Sequence, residues 1–146
     1  MTTPRVGVII NYRDKYLCVF QEASRLWGFP KGQLKSFESY RDGACRELLE
    51  ETGVKIHPYF LNINSSIHIK RGKHHHYYFL KTVDSKPDIF IDNYEIIDYS
   101  WMTLEELSKL RVSFFTEQVL KRLLPEAQIS RFTCLSCLDT GSLPDK

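Results

Sequence analysis

Glu47, Glu50 and Glu51 fall within five consecutive positions, with Arg46 beside them and Glu38 a short way upstream. If this stretch is helical, at ~100° per residue Glu47 and Glu51 sit about 40° apart around the axis. By the same step Glu50 lies roughly 60° to the other side of Glu47, so the three carboxylates share one face within about two turns. Such a cluster repels itself, and a bound divalent cation is the simplest compensation. Hard oxygen donors select Mg²⁺ or Mn²⁺ over thiophilic metals, and Mg²⁺ leaves coordination positions for water and substrate phosphates. Such an ion could neutralise charge on bound oxygens and ease ionisation of a bound water.

Cations stand on either side of the acids. Lys31 directly precedes Gly32 and is placed to hold a phosphate as a point charge. From Lys55 to Val83 there is no Asp or Glu, and all five histidines lie there with Lys55, Lys70, Arg71, Lys73 and Lys81. A basic stretch following an acidic helix suits a ligand carrying several phosphates.

The elements that must position these groups follow from periodicity. Val6, Val8 and Ile10 alternate, as do Tyr16, Cys18 and Phe20, with Arg13-Asp14 between them, which predicts a hairpin. Residues 23–32 read as a loop punctuated by Gly28, Pro30 and Gly32. A helix is predicted from Ser39, capped through Ser39-x-x-Asp42 and ended by Gly53. Leu61 to Ile69 alternates as a strand, Gly72 marks a turn, and His74 to Val83 is its antiparallel partner. Ile96 to Met102 is a further strand, and Thr103-Leu104-Glu105-Glu106 opens a short helix as a capping box. A last helix runs from about Phe114 to Leu124 with Pro125 as its stop. Strands and helices mix without a βαβ rhythm, so the class is α+β. Cys18, Cys45 and Trp101 read as core.

Gly32, five residues, Glu38, seven residues, then Arg46-Glu47-Leu48-Leu49-Glu50-Glu51-Thr52-Gly53-Val54 fills every fixed position of the Nudix box. The chain therefore resembles the Nudix hydrolases. The resemblance implies an α/β/α sandwich with a mixed sheet between helices, the box forming a loop, helix and loop. It also implies metal ligation by Glu47, Glu50 and Glu51, with the Gly32 carbonyl contributing. Arg46 is expected to orient a neighbouring carboxylate rather than touch substrate, and Glu38 to be structural. Family members differ in their general base, and Glu95, in Asn93-Tyr94-Glu95-Ile96, is the candidate here, with Asp92 as its neighbour and rival.

Within that family, Trp27-Gly28-Phe29-Pro30-Lys31-Gly32 and the Tyr77-Tyr78-Phe79 run after a basic turn resemble the mRNA-decapping enzymes. Capped RNA is accordingly the leading substrate, with 7-methylguanosine diphosphate released. Lys70, Arg71 and Lys73 would attract the RNA backbone, and Trp27, Tyr77 or Tyr94 would stack on a base. Two departures stand out: Tyr94 interrupts the expected Asn-Glu-Ile, and Ser100 precedes Trp101 where the pattern has Glu. Dinucleoside polyphosphates and free nucleotides are the enzymatic alternatives, and a non-catalytic Nudix-fold RNA-binding module is the alternative of another class.

Composition and length set the frame. At 146 residues with 42% hydrophobic and 26% charged side chains, a single Nudix domain over residues 1–130 and a flexible tail over 131–146 are expected. The net charge of +2 is too small to point to a partner by itself. No apolar run approaches the ~20 residues of a membrane span. No secretory signal is visible and the four cysteines form no dense framework, so a cytoplasmic enzyme is expected. The chain opens on its first strand, without the helical regulatory domain of cellular decapping enzymes, which leaves a minimal decapping enzyme, a relative with another substrate, or an enzyme whose protein partners replace that domain. Cys134-x-x-Cys137 is half of a zinc knuckle without a second half, and the His74-His75-His76 run alternates in direction, so neither is read as a metal site.

Overall fold

The computed structural model describes residues 2–91 and 93–124. The stop at Pro125, the tail, Asp92, Cys134 and Cys137 lie outside the described residues. Two strands, β1 (Arg5–Tyr12) and β2 (Lys15–Gln21), form the predicted hairpin, but they pair only at Asn11↔Tyr16 and Tyr12↔Lys15. Beyond those pairs they splay. The gap is filled by β3 (Trp27–Gly28), which pairs with β2, and β4 (Lys31–Gln33), which pairs antiparallel with β1. The stretch predicted as a plain loop thus carries two short strands. They show no period because their pairing partners are distant in sequence and they are too short to alternate.

On its other edge β1 runs parallel to β6 (His74–Thr82), from Arg5↔His76 to Asn11↔Thr82. The antiparallel neighbour of β6 is β5 (Ser66–Arg71), and β2 pairs with β7 (Ile96–Met102). The sheet is mixed. Val6, Val8, Ile9 and Ile10 are all wholly buried, because β1 is covered on both faces rather than on the one that alternation implies.

Helix α1 (Tyr40–Thr52) covers one face, over a cluster that includes Val6, Val8, Leu17, Leu48 and Phe79. Helices α2 (Leu104–Ser108) and α3 (Phe114–Leu123) cover the other, over Ile9, Tyr78, Met102, Leu107 and Leu120. The result is an α+β sandwich. Ser39 caps α1 by accepting from the Asp42 N–H at 3.0 Å. Gly53 ends it at φ 77°, a conformation that a side chain would strain. The Thr103–Glu106 capping box is formed in both directions. No helix among the described residues is long and apolar enough to cross a membrane.

One strand is shorter than its periodicity predicts. Pro58–Phe60 is a 3-10 turn and 62–65 a further turn, so β5 begins only at Ser66. The reason is local: His57 Nδ1 accepts from the Tyr59 N–H at 3.0 Å, and Asn62 Oδ1 from the Asn64 N–H at 2.9 Å. Such side-chain to backbone bonds compete with a ladder. Leu61 is buried all the same, while Ile63 stands out in solvent. Cys18 and Cys45 are buried free thiols, whereas Trp101 is only half-buried, packed at the margin of the α1-side cluster with Lys86 near its ring.

Candidate active site

The splayed hairpin places Lys31 and Gly32 against the carboxylate face of α1. Gly32 is needed there for room, since a Cβ on it would land on the Glu47 carboxylate. Glu47 and Glu51 are buried and Glu50 is exposed. Arg46 holds the acids in place. Its Nε and Nη2 donate to the two oxygens of Glu38 at 2.6 and 3.0 Å, a forked pair. Its Nη1 donates to Glu47 at 2.9 Å and to Glu50 at 3.2 Å, and its Nη2 also meets the Gln33 carbonyl at 2.9 Å. The Glu38 carboxyl is held below the usual range, first by its bond to Arg46, and the Arg46 guanidinium is raised, first by Glu38.

Glu51 is handled differently. Its Oε1 accepts from the Lys31 backbone N–H at 3.1 Å. Burial pushes its pKa up to about 8, with the Lys31 charge opposing and the Glu47 and Glu95 charges assisting. Burial likewise raises Glu47, against the pull of Arg46. The Lys31 ammonium is lowered by burial, with Glu51 opposing. Glu95 reaches the same region from the loop before β7. Asn93 ties that loop down: its side-chain N–H donates to the Glu50 carbonyl at 3.0 Å, and its Oδ1 accepts from the N–H groups of Glu95 and Ile96 at 2.9 and 2.8 Å.

A cleft of about 1100 Å³ joins these groups. Its lining brings Glu47, Glu50, Glu51 and Glu95 together with Arg5, Lys31, Arg46, Arg71, His74 and His76. Trp27 and Tyr94 also line it, Trp27 half-buried and tilted against Phe20, Tyr94 almost fully exposed. The structure does not bring Lys70, Lys73 or Tyr77 into this cleft. The two-residue period of β5 divides the basic run, turning Arg71 towards the cleft and Lys70, the cross-strand partner of His75, to the opposite face. Tyr77 is on that opposite face too, stacked on His68 and edge-on to Tyr40. Lys73 sits exposed at the hairpin tip. Arg5 and His76 are cleft residues that the sequence reading did not single out. The register Arg5↔His76 between β1 and β6 brings them together, and only the alternation of the His74–His76 run hints at it.

Among the described residues no three His, Cys, Asp or Glu side chains form a ready-made cation cluster. Arg46 donates to oxygens of both Glu47 and Glu50. The donor set nonetheless fits a hard divalent cation. Glu51 is buried with the Lys31 backbone N–H as its donor and keeps its charge poorly on its own, and only a glycine at 32 lets the backbone approach the Glu47 carboxylate so closely. Nudix hydrolases generally use such ions, Mg²⁺ or Mn²⁺ among them.

The comparisons agree with this architecture. The NUDIX domain family model matches residues 1–123. An RNA pyrophosphohydrolase of Sphingopyxis alaskensis is 29% identical over 132 residues, covering 76% of this chain and 84% of the relative. Nudix hydrolase 6 of Arabidopsis thaliana is 30% identical over 122 residues, 70% of this chain but only 40% of its own length. The NUDIX domain of Shewanella oneidensis NrtR, solved with ADP ribose, superposes with a TM-score of 0.68 at 18% identity, over 83% of this chain and 85% of that one, and shows the shared fold. Neither relative is named as a decapping enzyme, so the narrower resemblance to that branch gains no support. The chain belongs to the NUDIX domain family and is a Nudix hydrolase, an enzyme of phosphoric anhydride bonds.

Proposed function

We propose that this Nudix hydrolase cleaves a phosphoric anhydride at the 5′ end of RNA, either a cap or a 5′-polyphosphate. The observation that carries the reading is a single cleft lined both by the carboxylates and by Arg5, Lys31 and Arg71. A nucleotide chain presents several phosphates to these cations and a base to Trp27. The relative named an RNA pyrophosphohydrolase favours the same substrate class.

Glu47, Glu50 and Glu51, with the Gly32 carbonyl, would hold the divalent cation, Mg²⁺ in this reading with Mn²⁺ as a substitute. When bound, it neutralises phosphate oxygens and eases ionisation of water. Arg46 serves as the positioning residue, keeping Glu38, Glu47 and Glu50 registered to one another. Lys31 binds the phosphate nearest the acids. Glu95 takes the proton of the attacking water, and Asn93 fixes its loop to the end of α1 for that purpose. The cytoplasm is the compartment this reading fits, since the buried thiols of Cys18 and Cys45 remain free there.

The test is a panel of 5′-capped RNA, 5′-triphosphorylated RNA and diadenosine tetraphosphate, with Mg²⁺ and product identification. Release of 7-methylguanosine diphosphate or of pyrophosphate from RNA supports the proposal and tells the two ends apart. Turnover confined to diadenosine tetraphosphate refutes it.

A further inference from the structure

We propose that the outer face of the β5–β6 hairpin, continued by a second pocket beside Phe60, is a track that binds single-stranded RNA outside the catalytic cleft. The inference deepens the RNA reading and takes only the class of ligand from it.

Charge is the first argument. Residues 55–83 contribute five Lys or Arg without one Asp or Glu, and they build both strands of this hairpin and the turn before it. The division of the basic run by strand period, which removes Lys70 from the cleft, also extends the cationic surface. Arg71 lies in the cleft, Lys73 at the tip and Lys70 on the far face, so positive charge wraps the hairpin end from one side to the other. A polyanion leaving the cleft meets no acid along this hairpin.

Stacking surfaces supply the second argument. His68 and Tyr77 lie parallel at 4.2 Å and 8°, with His75 coplanar beside them, and Tyr40 packs edge-on at 4.7 Å. The next residue, Arg41, donates to the Leu61 carbonyl at 3.1 Å. There a second pocket of about 580 Å³ opens, lined by Arg41, Tyr59, Phe60 and Ile63 among others. Tyr59 and Phe60 are 77% and 62% exposed, and the Lys81 ammonium lies 5.6 Å from the Phe60 ring centre. Exposed rings among cations form a platform for bases, which stack without regard to sequence. A site for an apolar protein segment has no use for so uniform a charge.

The experiment uses the full chain in EDTA, so that it does not depend on hydrolysis. A fluorescent 5′-hydroxyl oligouridine of about 12 nucleotides, within the ~4–16 spanned by known single-strand sites, is titrated against a dinucleotide of the same chemistry. The oligouridine is expected to bind at least ~tenfold more tightly, and Phe60→Ala to remove most of that gain. The Lys70→Ala, Lys73→Ala double variant is expected to flatten the dependence of log K on log salt by ~0.7 for each lost phosphate contact. Tyr99→Ala, an exposed ring on β7, should change neither. Equal affinity for oligouridine and dinucleotide overturns the proposal. So do unchanged binding in both track variants, equal binding of a duplex that cannot stack, or preference for anionic lipid vesicles. Oligouridine binding that responds to the variants in a protein that hydrolyses no RNA leaves the track standing while the catalytic reading falls.

Discussion

Acidification is expected to destabilise the protein through one residue, His76, which is buried at 7% exposure. Its ring lies flat on Phe115 at 3.5 Å and shares a hydrogen bond of 3.0 Å with the Tyr78 hydroxyl. Burial first, then the charges of Lys31, Arg5 and His74, push its pKa from 6.5 down to about 3. Below ~6.5 the unfolded chain takes up a proton that the folded chain refuses. Stability therefore falls as pH drops through that value and stops falling on this account only near the folded pKa, about 3. Between about pH 7 and about pH 5 the linkage amounts to ~2 kcal/mol. Taken alone this is worth roughly 6 °C of Tm at ~3 °C per kcal/mol for a chain of this size, while the raised Glu51 acts in the opposite direction over the same interval. Carboxylates also respond to pH, so the assay is a comparison. Urea unfolding of the protein and of His76→Phe is measured at both pH values. Phenylalanine keeps the stacking on Phe115 and removes the titration, losing the Tyr78 bond at either pH. The unsubstituted chain should lose ~2 kcal/mol more than the variant over this interval. Parallel pH dependence of the two would refute the reasoning, whatever their absolute stabilities.

Three further outcomes are expected. Glu51→Gln should lower kcat by ~100-fold or more, each ~1.4 kcal/mol of barrier being tenfold, while Tm holds or rises because a reluctantly ionised buried acid has gone; a fall in Tm with kcat unchanged would contradict this, by calorimetry and steady-state kinetics. Gly32→Ala should give a folded chain with at least ~tenfold lower activity, equivalent to ~1.4 kcal/mol, because its Cβ displaces the Glu47 carboxylate; circular dichroism and the same kinetics check it. Asn93→Ala releases the loop that carries Glu95, so kcat should fall by ~tenfold with KM little changed, a loss of transition-state rather than ground-state interaction; a rise in KM alone would assign Asn93 to substrate binding instead.

Local signals in the sequence were dependable. Ser39, Gly53, Thr103 and Glu106 set helix ends through bonds within a few residues of themselves, so their types sufficed. The carboxylate face of α1 was legible for the same reason. What could not be read was pairing between distant segments. Trp27–Gln33 looks like a loop because its two short strands lean on β1 and β2 rather than on each other. Arg5 carries no motif, and only the parallel register with β6 delivers it to the cleft. The run Lys70, Arg71, Lys73 read as one basic patch, yet strand period sends its members to different surfaces. Helix angles give the shared side of Glu47, Glu50 and Glu51 but say nothing of where Arg46 points, and Arg46 bonds two of the three.

The parallel partnership of β1 and β6 has a consequence during synthesis. Asn11 and Thr82, which close that ladder, are 71 residues apart. At ~5–20 residues per second a ribosome needs several seconds to supply the missing neighbour. For that time the most apolar strand of the molecule, Val6 to Ile10, is left with a bare backbone edge open to other nascent chains. Chaperone dependence in a crowded cell, and inclusion bodies on rapid overexpression, are therefore the failure modes this topology invites.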